Sequence, residues 1–573
     1  MKWNSMLLPR AFLSVGILCL SATVSEANAA SPFRVGLSIS PFADLELAYG
    51  VQYKDGAATA TNLLQMENLL KSHGANELYA RLATDFAYPA AGTNHSLARV
   101  IERANTAISA GLPLNVELGL WKHYGDIAGQ PQPDFSEYPS IILPGPWQTL
   151  TLNQMKVVLR QYGTLVAQQI LSTGVTVNIW DLGNEIDFGT AGVSVAPVTG
   201  AYESEQGPNW YKAPDGINPV IGTESVASLL NMPEPHRIAW LQNNLWPYEA
   251  QLLNAVREGI LQVDSSARFS THISQSTSPT FAVAFYTAMQ NWGLPLDELG
   301  FSLFPSSHAA SSDVLKQFQL TMKAVKNAFN KPIHLSEYAY PNGPMSGAYA
   351  AWNNQQKGYV HNAMGQRDLL RDLSSWGAAL GLSGIRPWAP DLSYNGGGWE
   401  PLSLFKAETP GSLIQVALPA LNAIKEGIAT PALDGVPAFL EGFENNNFTR
   451  NGWYVSGAEI QTVYAIGAYA AKLNLNDYLT KPFPTSGYAN IKIEYVRYSP
   501  NNTNAEHFKA EWFNGASWVL LEDVAGSFGM VRKSWTLPAS AANNPNFHIR
   551  FSSVGTDAAR ASYIDEIKIK GVL

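Results

Sequence analysis

The chain has 573 residues, 46% of them hydrophobic and 14% charged, with 16 Trp, 24 Tyr and 23 Phe. Ordinary soluble domains carry about 25% charged residues, so this surface is unusually neutral and aromatic, and the apolar content excludes a disordered chain. Lys and Arg number 37 against 46 Asp and Glu, with no basic run, which excludes a protein that tracks nucleic-acid phosphates.

Residues 1–29 read as a secretory signal peptide: Lys2 and Arg10 supply a positive start, Ala11 to Leu20 an apolar stretch, and Ala27-Asn28-Ala29 a cleavage site. The one cysteine, Cys19, leaves with it, so disulfides, thiolate metal sites and Cys nucleophiles are excluded from the exported chain. No later apolar run reaches the ~20 residues needed to span a bilayer. The expected product is secreted, extracellular or periplasmic, without a membrane partner, and monomeric.

From residue 33 to about 427, short apolar runs alternate with segments of helical period. Strands are expected at Arg34–Ile39, Glu77–Ala83, Leu114–Leu120, Val177–Gly183, Arg268–Ile273, Leu299–Phe304, Ile333–Ser336 and Ser383–Trp388. Helices are expected at Thr59–His73, Ser96–Ala110, Leu152–Ser172, Arg237–Ile260, Thr280–Trp292, Ser311–Asn330, Lys357–Leu380 and Ser412–Glu426. Eight strands each followed by a helix is the count of a (β/α)8 TIM barrel, and it exceeds the usual number for a doubly wound open sheet. After the fourth strand, Ile186 to His236 shows no period and is rich in Gly, Pro, Ser and aromatics. A loop of that length at the active face of a barrel is a candidate cleft wall or lid, with Trp210 and Tyr211 as its adjacent large aromatics.

The catalytic domain is therefore expected over residues 30–430, a Pro/Gly-punctuated linker over 431–439 and an all-β sandwich, jelly-roll-like, over 440–573. Its strands are expected at Ala470–Leu475, Ile491–Tyr498, Lys509–Phe513, Trp518–Leu521, Phe547–Phe551 and Ile564–Ile569. Few contacts normally cross such a linker, so the sandwich is expected to be separable. It carries Trp453, Tyr454, Trp512, Trp518 and Trp535, which serve either a core or a sugar surface.

All eight strand ends of a barrel converge on one axis, so polar residues there are the catalytic candidates. Glu185 ends the fourth strand in Gly183-Asn184-Glu185, and Glu337 ends the seventh in Ser336-Glu337-Tyr338. Strands four and seven face each other across the mouth, where a carboxylate pair about 5 Å apart supports retaining glycoside hydrolysis and one at about 6.5–9.5 Å inverting hydrolysis. His123 and His272 fall near strand ends as candidate sugar contacts. No His-x-x-x-His spacing or G-x-S-x-G elbow is present, which argues against a zinc hydrolase and a serine hydrolase.

Gly183-Asn184-Glu185-Ile186 and Ser336-Glu337-Tyr338 resemble the clan of barrel glycosidases that use carboxylates after strands four and seven. Tyr53-Lys54-Asp55-Gly56, Leu69 to Asn76 leading into Arg81-Leu82, His123-Tyr124-Gly125-Asp126, Ser302-Leu303-Phe304-Pro305 with His308, Pro387-Trp388-Ala389-Pro390, Gly398-Trp399 and Leu404-Phe405 are similar to motifs of glycoside hydrolase family 53, the arabinogalactan endo-β-1,4-galactanases. The resemblance implies Glu185 as acid/base and Glu337 as nucleophile. It also implies Asn184 on the sugar 2-hydroxyl, Arg81 beneath the nucleophile, and Trp388 with Trp399 among the substrate contacts. Phe304 and Ala389 replace a Tyr and a Glu of the family pattern. The implied partner is a polysaccharide, β-1,4-galactan or arabinogalactan. Alternatives are another β-linked glycan (mannan, xylan or glucan) or a silent carbohydrate-binding protein. No cofactor is required by this chemistry. The sandwich resembles accessory domains of secreted polysaccharide-degrading enzymes through Gly442-Phe443-Glu444, Gly467 to Ala471 and Ser562-Tyr563-Ile564-Asp565-Glu566. In such domains an early acidic residue and the late Asp hold a structural calcium.

Overall fold

The computed structural model describes residues 33–38, 49–84, 95–201, 217–309, 312–356, 358–429, 436–443, 446–449, 452–466 and 468–572. The expected signal peptide, Cys19, Trp210 and Tyr211 lie outside them. Among the described residues no helix is long and apolar enough to cross a membrane.

Eight parallel barrel strands form where the sequence pattern places them. They are Arg34–Leu37, Glu77–Leu82, Leu114–Leu118, Val177–Leu182, Phe269–Ile273, Leu299–Leu303, Ile333–Tyr338 and Leu382–Pro387. Strands two, three, six and seven are buried at every residue, which is the signature of parallel strands covered on both faces. Strand one pairs with strand two through Gly36 and Glu77 and with strand eight through Arg34 and Gly384. The ring closes at strand five, which is interrupted at Thr271. Phe269–Ser270 pairs with strand four and His272–Ile273 with strand six, while the Thr271 hydroxyl donates to the Leu182 carbonyl at 2.6 Å.

The helices start and stop where side chains can replace the missing turn. Ser96, Thr151 and Asn362 accept the N–H of the residue three further on, and Gly111 and Gly381 end their helices in left-handed conformation at φ 65° and 97°. Helices Leu152–Leu171 and Trp246–Leu261 meet backbone to backbone. A Cβ at Gly163 would lie 2.3 Å from the Val256 carbonyl oxygen, and one at Gly259 would lie 2.1 Å from that of Arg160. Only glycine fits either position.

Three expected helices are corrected. Arg237–Ile260 is two helices, Glu234–Asn244 and Trp246–Leu261, broken at Leu245 ahead of Pro247, whose ring removes an N–H from the turn. The start of Thr59–His73 is a strand, Ala58–Ala60, hairpinned to Gln52–Asp55, and the helix begins at Leu63 under an Asn62 cap. Most of Ser412–Glu426 is the strand Ile414–Ala417 and a 3₁₀ turn, with a helix only at Ala423–Ala429. Ile414–Ala417 pairs in parallel with Gln52–Asp55 and antiparallel with Phe405–Ala407, so a four-stranded sheet joins the two ends of the barrel sequence. Ile186 to His236, expected to be without period, carries a small hairpin (Gly189–Thr190 with Val193–Ser194) and a short helix, Val226–Asn231.

The sandwich has two antiparallel sheets. One holds Val436–Glu441, Glu459–Gln461, Ala470–Asn474, Ala489–Ser499, Phe528–Thr536 and Ala561–Val572, and the other Tyr454–Ser456, Tyr478–Pro482, His507–Phe513, Trp518–Ala525 and His548–Val554. Burial alternates along His507–Phe513 and His548–Val554, and Phe508, Trp512, Ile549 and Phe551 meet Leu473, Ile493, Ile567 and Ile569 between the sheets. Val436–Glu441 begins inside the expected linker. Residues 33–573 form one compact unit, and its two folds are joined by buried charge: Lys570 Nζ lies 2.7 Å from Asp372 Oδ2 on the barrel helix Ala363–Leu380. The sandwich thus meets the barrel helix Ala363–Leu380 through buried ion pairs.

Candidate active site

Glu185 leaves strand four on a sharp turn. Gly183 has φ 88°, and Glu185 itself sits at φ 48°, ψ 55°, a left-handed conformation that costs a non-glycine residue about 1–3 kcal/mol. The loop after strand three braces this turn. Asn184 Nδ2 donates to the Gly125 carbonyl at 2.8 Å, Gln130 Nε2 donates to the Asn184 carbonyl at 2.7 Å, and Ile127 N–H donates to Glu185 Oε2 at 3.3 Å. Burial, and then the negative charges of Glu337, Asp126 and Asp187, push the Glu185 carboxyl well above the ordinary carboxylate range. That is the condition for a carboxyl group that must carry a proton near neutrality.

Glu337 on strand seven meets the Arg81 guanidinium from strand two. The same guanidinium donates to Asn184 Oδ1 at 3.0 Å and pairs through Nε with Glu117 Oε1 at 2.6 Å. Arg81 thus ties strands two, three, four and seven at one point. Because Asn184 Oδ1 accepts from Arg81, the His272 Nε2 facing it at 2.9 Å must donate as well, and His272 Nδ1 lies 3.0 Å from Asp181 Oδ2. Burial opposes ionisation of Asp181, yet His272 and the Arg386 guanidinium hold its carboxyl down at about 2. Glu117 moves the other way, pushed up by burial and by the Glu337 and Asp181 charges.

One polar network therefore brings together Glu185, Glu337, Arg81 and Asn184, with half-buried Trp388 beside it, its ring centroid 5.9 Å from the Arg81 guanidinium carbon. The family model for glycosyl hydrolase family 53 matches residues 34–212 and 215–430. The chain belongs to glycosyl hydrolase family 53. It is a glycoside hydrolase. A solved structure titled as the family 53 catalytic domain of Ignisphaera aggregans is 18% identical, with a TM-score of 0.51 over 69% of this chain and 96% of that one. Another, titled as the structure of two fungal beta-1,4-galactanases, is 19% identical, with a TM-score of 0.49 over 68% and 98%. Likenesses at this identity concern the fold. No curated protein matches the chain.

Among the expected sugar contacts of this family 53 enzyme, His272 is 0% exposed with both ring nitrogens held by Asp181 and Asn184, and Trp399 is 3% exposed. His272 orients Asn184 from behind. Trp399 lies against Trp388 with centroids 4.6 Å apart, and its indole N–H donates to the Ala389 carbonyl. Phe304, in place of a tyrosine, packs on Trp352 and Trp399. His123 is buried at the end of strand three's loop entry, its carbonyl 3.5 Å from His95 Nδ1.

Sequence reasoning passed over Glu117, Asp181 and Arg386. Each is a charged residue inside a mostly apolar strand, and such residues are buried only when partnered. Glu117, Asp181 and His272 present metal-ligand atoms within 4.8 Å of one another. Arg81 pairs with Glu117, and Arg386 with Asp181. In the sandwich, Asp565 of the expected calcium pair accepts the N–H groups of Ile466 and Glu566, and Glu444 lies outside the described residues.

Proposed function

We propose that this enzyme is an exported, retaining endo-β-1,4-galactanase acting on galactan or arabinogalactan-type polysaccharide. The observation that carries the reading is the unequal treatment of the two carboxyl groups. Glu337 is ion-paired to Arg81, while Glu185 is crowded by negative charge with no cation bonded to its carboxylate among the described contacts. A nucleophile must be charged, and a proton donor must be neutral until it acts.

Glu337 attacks the anomeric carbon as Glu185 gives its proton to the departing glycosidic oxygen. Water, deprotonated by Glu185, then releases the sugar with its configuration kept. Asn184, fixed by Arg81 and His272, orients the sugar 2-hydroxyl, and Trp388 supplies a ring for a sugar's apolar face. Family membership and the His123-Tyr124-Gly125-Asp126 and Gly398-Trp399 motifs support galactan as substrate. Reducing-sugar release from galactan, mannan, xylan and glucan tests the substrate, and the anomer first formed, read by NMR, tests retention. Release from mannan or xylan alone would overturn the galactan assignment. An N-terminus at Ala30 in the exported protein tests the signal peptide, and an unchanged rate in chelator tests independence from metal.

A further inference from the structure

Lys570, from the last strand of the sandwich, is 1% exposed, and its ammonium lies 2.7 Å from Asp372 Oδ2 and 3.4 Å from Glu494 Oε2. Two residues earlier, Lys568 is 3.8 Å from Asp368 and 5.2 Å from the ring centroid of Tyr359. Asp368 and Asp372 are one turn apart on the barrel helix that follows the nucleophile strand, so two sandwich lysines meet two barrel aspartates in register.

Asp372 also accepts the Tyr359 hydroxyl at 3.0 Å. The Tyr359 carbonyl accepts the Tyr340 hydroxyl at 2.6 Å, and the Tyr340 hydroxyl accepts the Gln356 N–H at 2.9 Å. Gln356 Nε2 in turn donates to the Pro305 carbonyl at 2.8 Å, at the end of strand six. Tyr340 stands three residues after Glu337. The segment it starts carries Met345, Tyr349 and Trp352, which pack with Phe304 and Trp399 behind Trp388. An unbroken run of buried contacts therefore leads from Lys570 to the loop that backs the candidate sugar platform.

We propose that the sandwich is a brace for the active site: Lys570, through Asp372 and Tyr359, is a positioning residue that holds the loop after the nucleophile strand and with it Trp388. A surface-targeting appendage would not need charges buried against the helix of strand seven. The assignment goes beyond the galactanase reading and does not depend on which glycan is cut.

Tyr359→Phe removes one hydroxyl and Lys570→Met removes the ammonium, both in the full chain. Lys472→Met, which breaks the exposed contact with Glu459 at the edge of the same sheet, is the control. Amide exchange over residues 340–356, followed by mass spectrometry, is expected to quicken about tenfold in the first two and not in the control. kcat on the best glycan is expected to fall about tenfold while KM stays within about twofold, the split expected when binding survives and alignment does not. Unchanged exchange in Tyr359→Phe overturns the brace even if Lys570→Met fails to fold, and faster exchange with parental kcat overturns its link to the site. If the parent cleaves none of the four polysaccharides, the proposed function falls, and the exchange comparison still decides the brace.

Discussion

At the barrel mouth, Glu117 and Glu337 share Arg81, Asp181 pairs with Arg386, and Glu185 stands beside them with no ion pair among the described contacts. At the contact with the sandwich, Asp368, Asp372 and Glu494 face Lys568, Lys570 and Arg371. Both sets are buried, yet they behave in opposite ways. The matched set holds Asp372 well below the usual carboxylate range, because Lys570 and Arg371 outweigh its burial. The short-handed set leaves Glu185 and Glu117 raised. Buried charge that serves structure is paired cation for anion. Buried charge that serves chemistry is left short of cations.

The comparison breaks first at the nucleophile. Glu337→Gln is expected to lower turnover by about 10⁴-fold or more, with azide restoring a product of inverted configuration. Retained turnover would move the nucleophile elsewhere. Next comes the matched set. Lys570→Met leaves Asp372 and Glu494 without their ammonium, and urea unfolding should show a loss of about 3–5 kcal/mol. A loss under 1 kcal/mol would mean that water reaches the contact. Trp388→Ala should raise KM by the equivalent of about 1–2 kcal/mol, one aromatic contact, measured on galacto-oligosaccharides. The smallest effect has the opposite sign. Glu185→Gln should stabilise the fold by about 1 kcal/mol at neutral pH, while the first step, attack by Glu337, is spared on substrates with good leaving groups and the release step is slowed.

The pH dependence of stability separates raised carboxyls from depressed ones, and the barrel mouth holds both kinds. Glu185 has a raised folded pKa, so the folded state holds its proton more tightly, and its charge destabilises increasingly as pH rises above the ordinary 4.5. The gain in Glu185→Gln should therefore shrink as pH falls to that value. Asp181 and Asp372 are depressed. Their contribution is present above 3.8 and is lost as pH falls through the folded value, about 2 for Asp181. Thermal melts between pH 2 and 8 would show both limbs.

The barrel was legible because a parallel strand buried on both faces reads as an apolar run, and a polar residue at its end is conspicuous. Glu185 and Glu337 stood out for that reason, Arg81 and Asn184 through the family resemblance, and the structure joins all four. The strand Ile414–Ala417 was not legible, since its apolar residues fit a helical spacing equally well and its partner lies at Gln52–Asp55. The full burial of His272 was not legible either, because sequence position gives depth along the barrel axis, not distance from it. The Lys570 contact was invisible. Nothing local to Ile567-Lys568-Ile569-Lys570 distinguishes lysines facing water from lysines facing a second domain.

The four-stranded sheet has a consequence for how the molecule comes into being. Gln52–Asp55 finds its parallel neighbour only when Ile414–Ala417 has been synthesised, strand one finds strand eight only at residue 384, and Val436–Glu441 waits for residues 567–571. Each closure joins points more than a hundred residues apart, so the nascent chain holds open staves with bare hydrogen-bonding edges for most of its synthesis. Such edges recruit other chains. Products cut short before residue 417 are expected to be lost to aggregation and chaperone capture rather than to accumulate as smaller, slower enzymes.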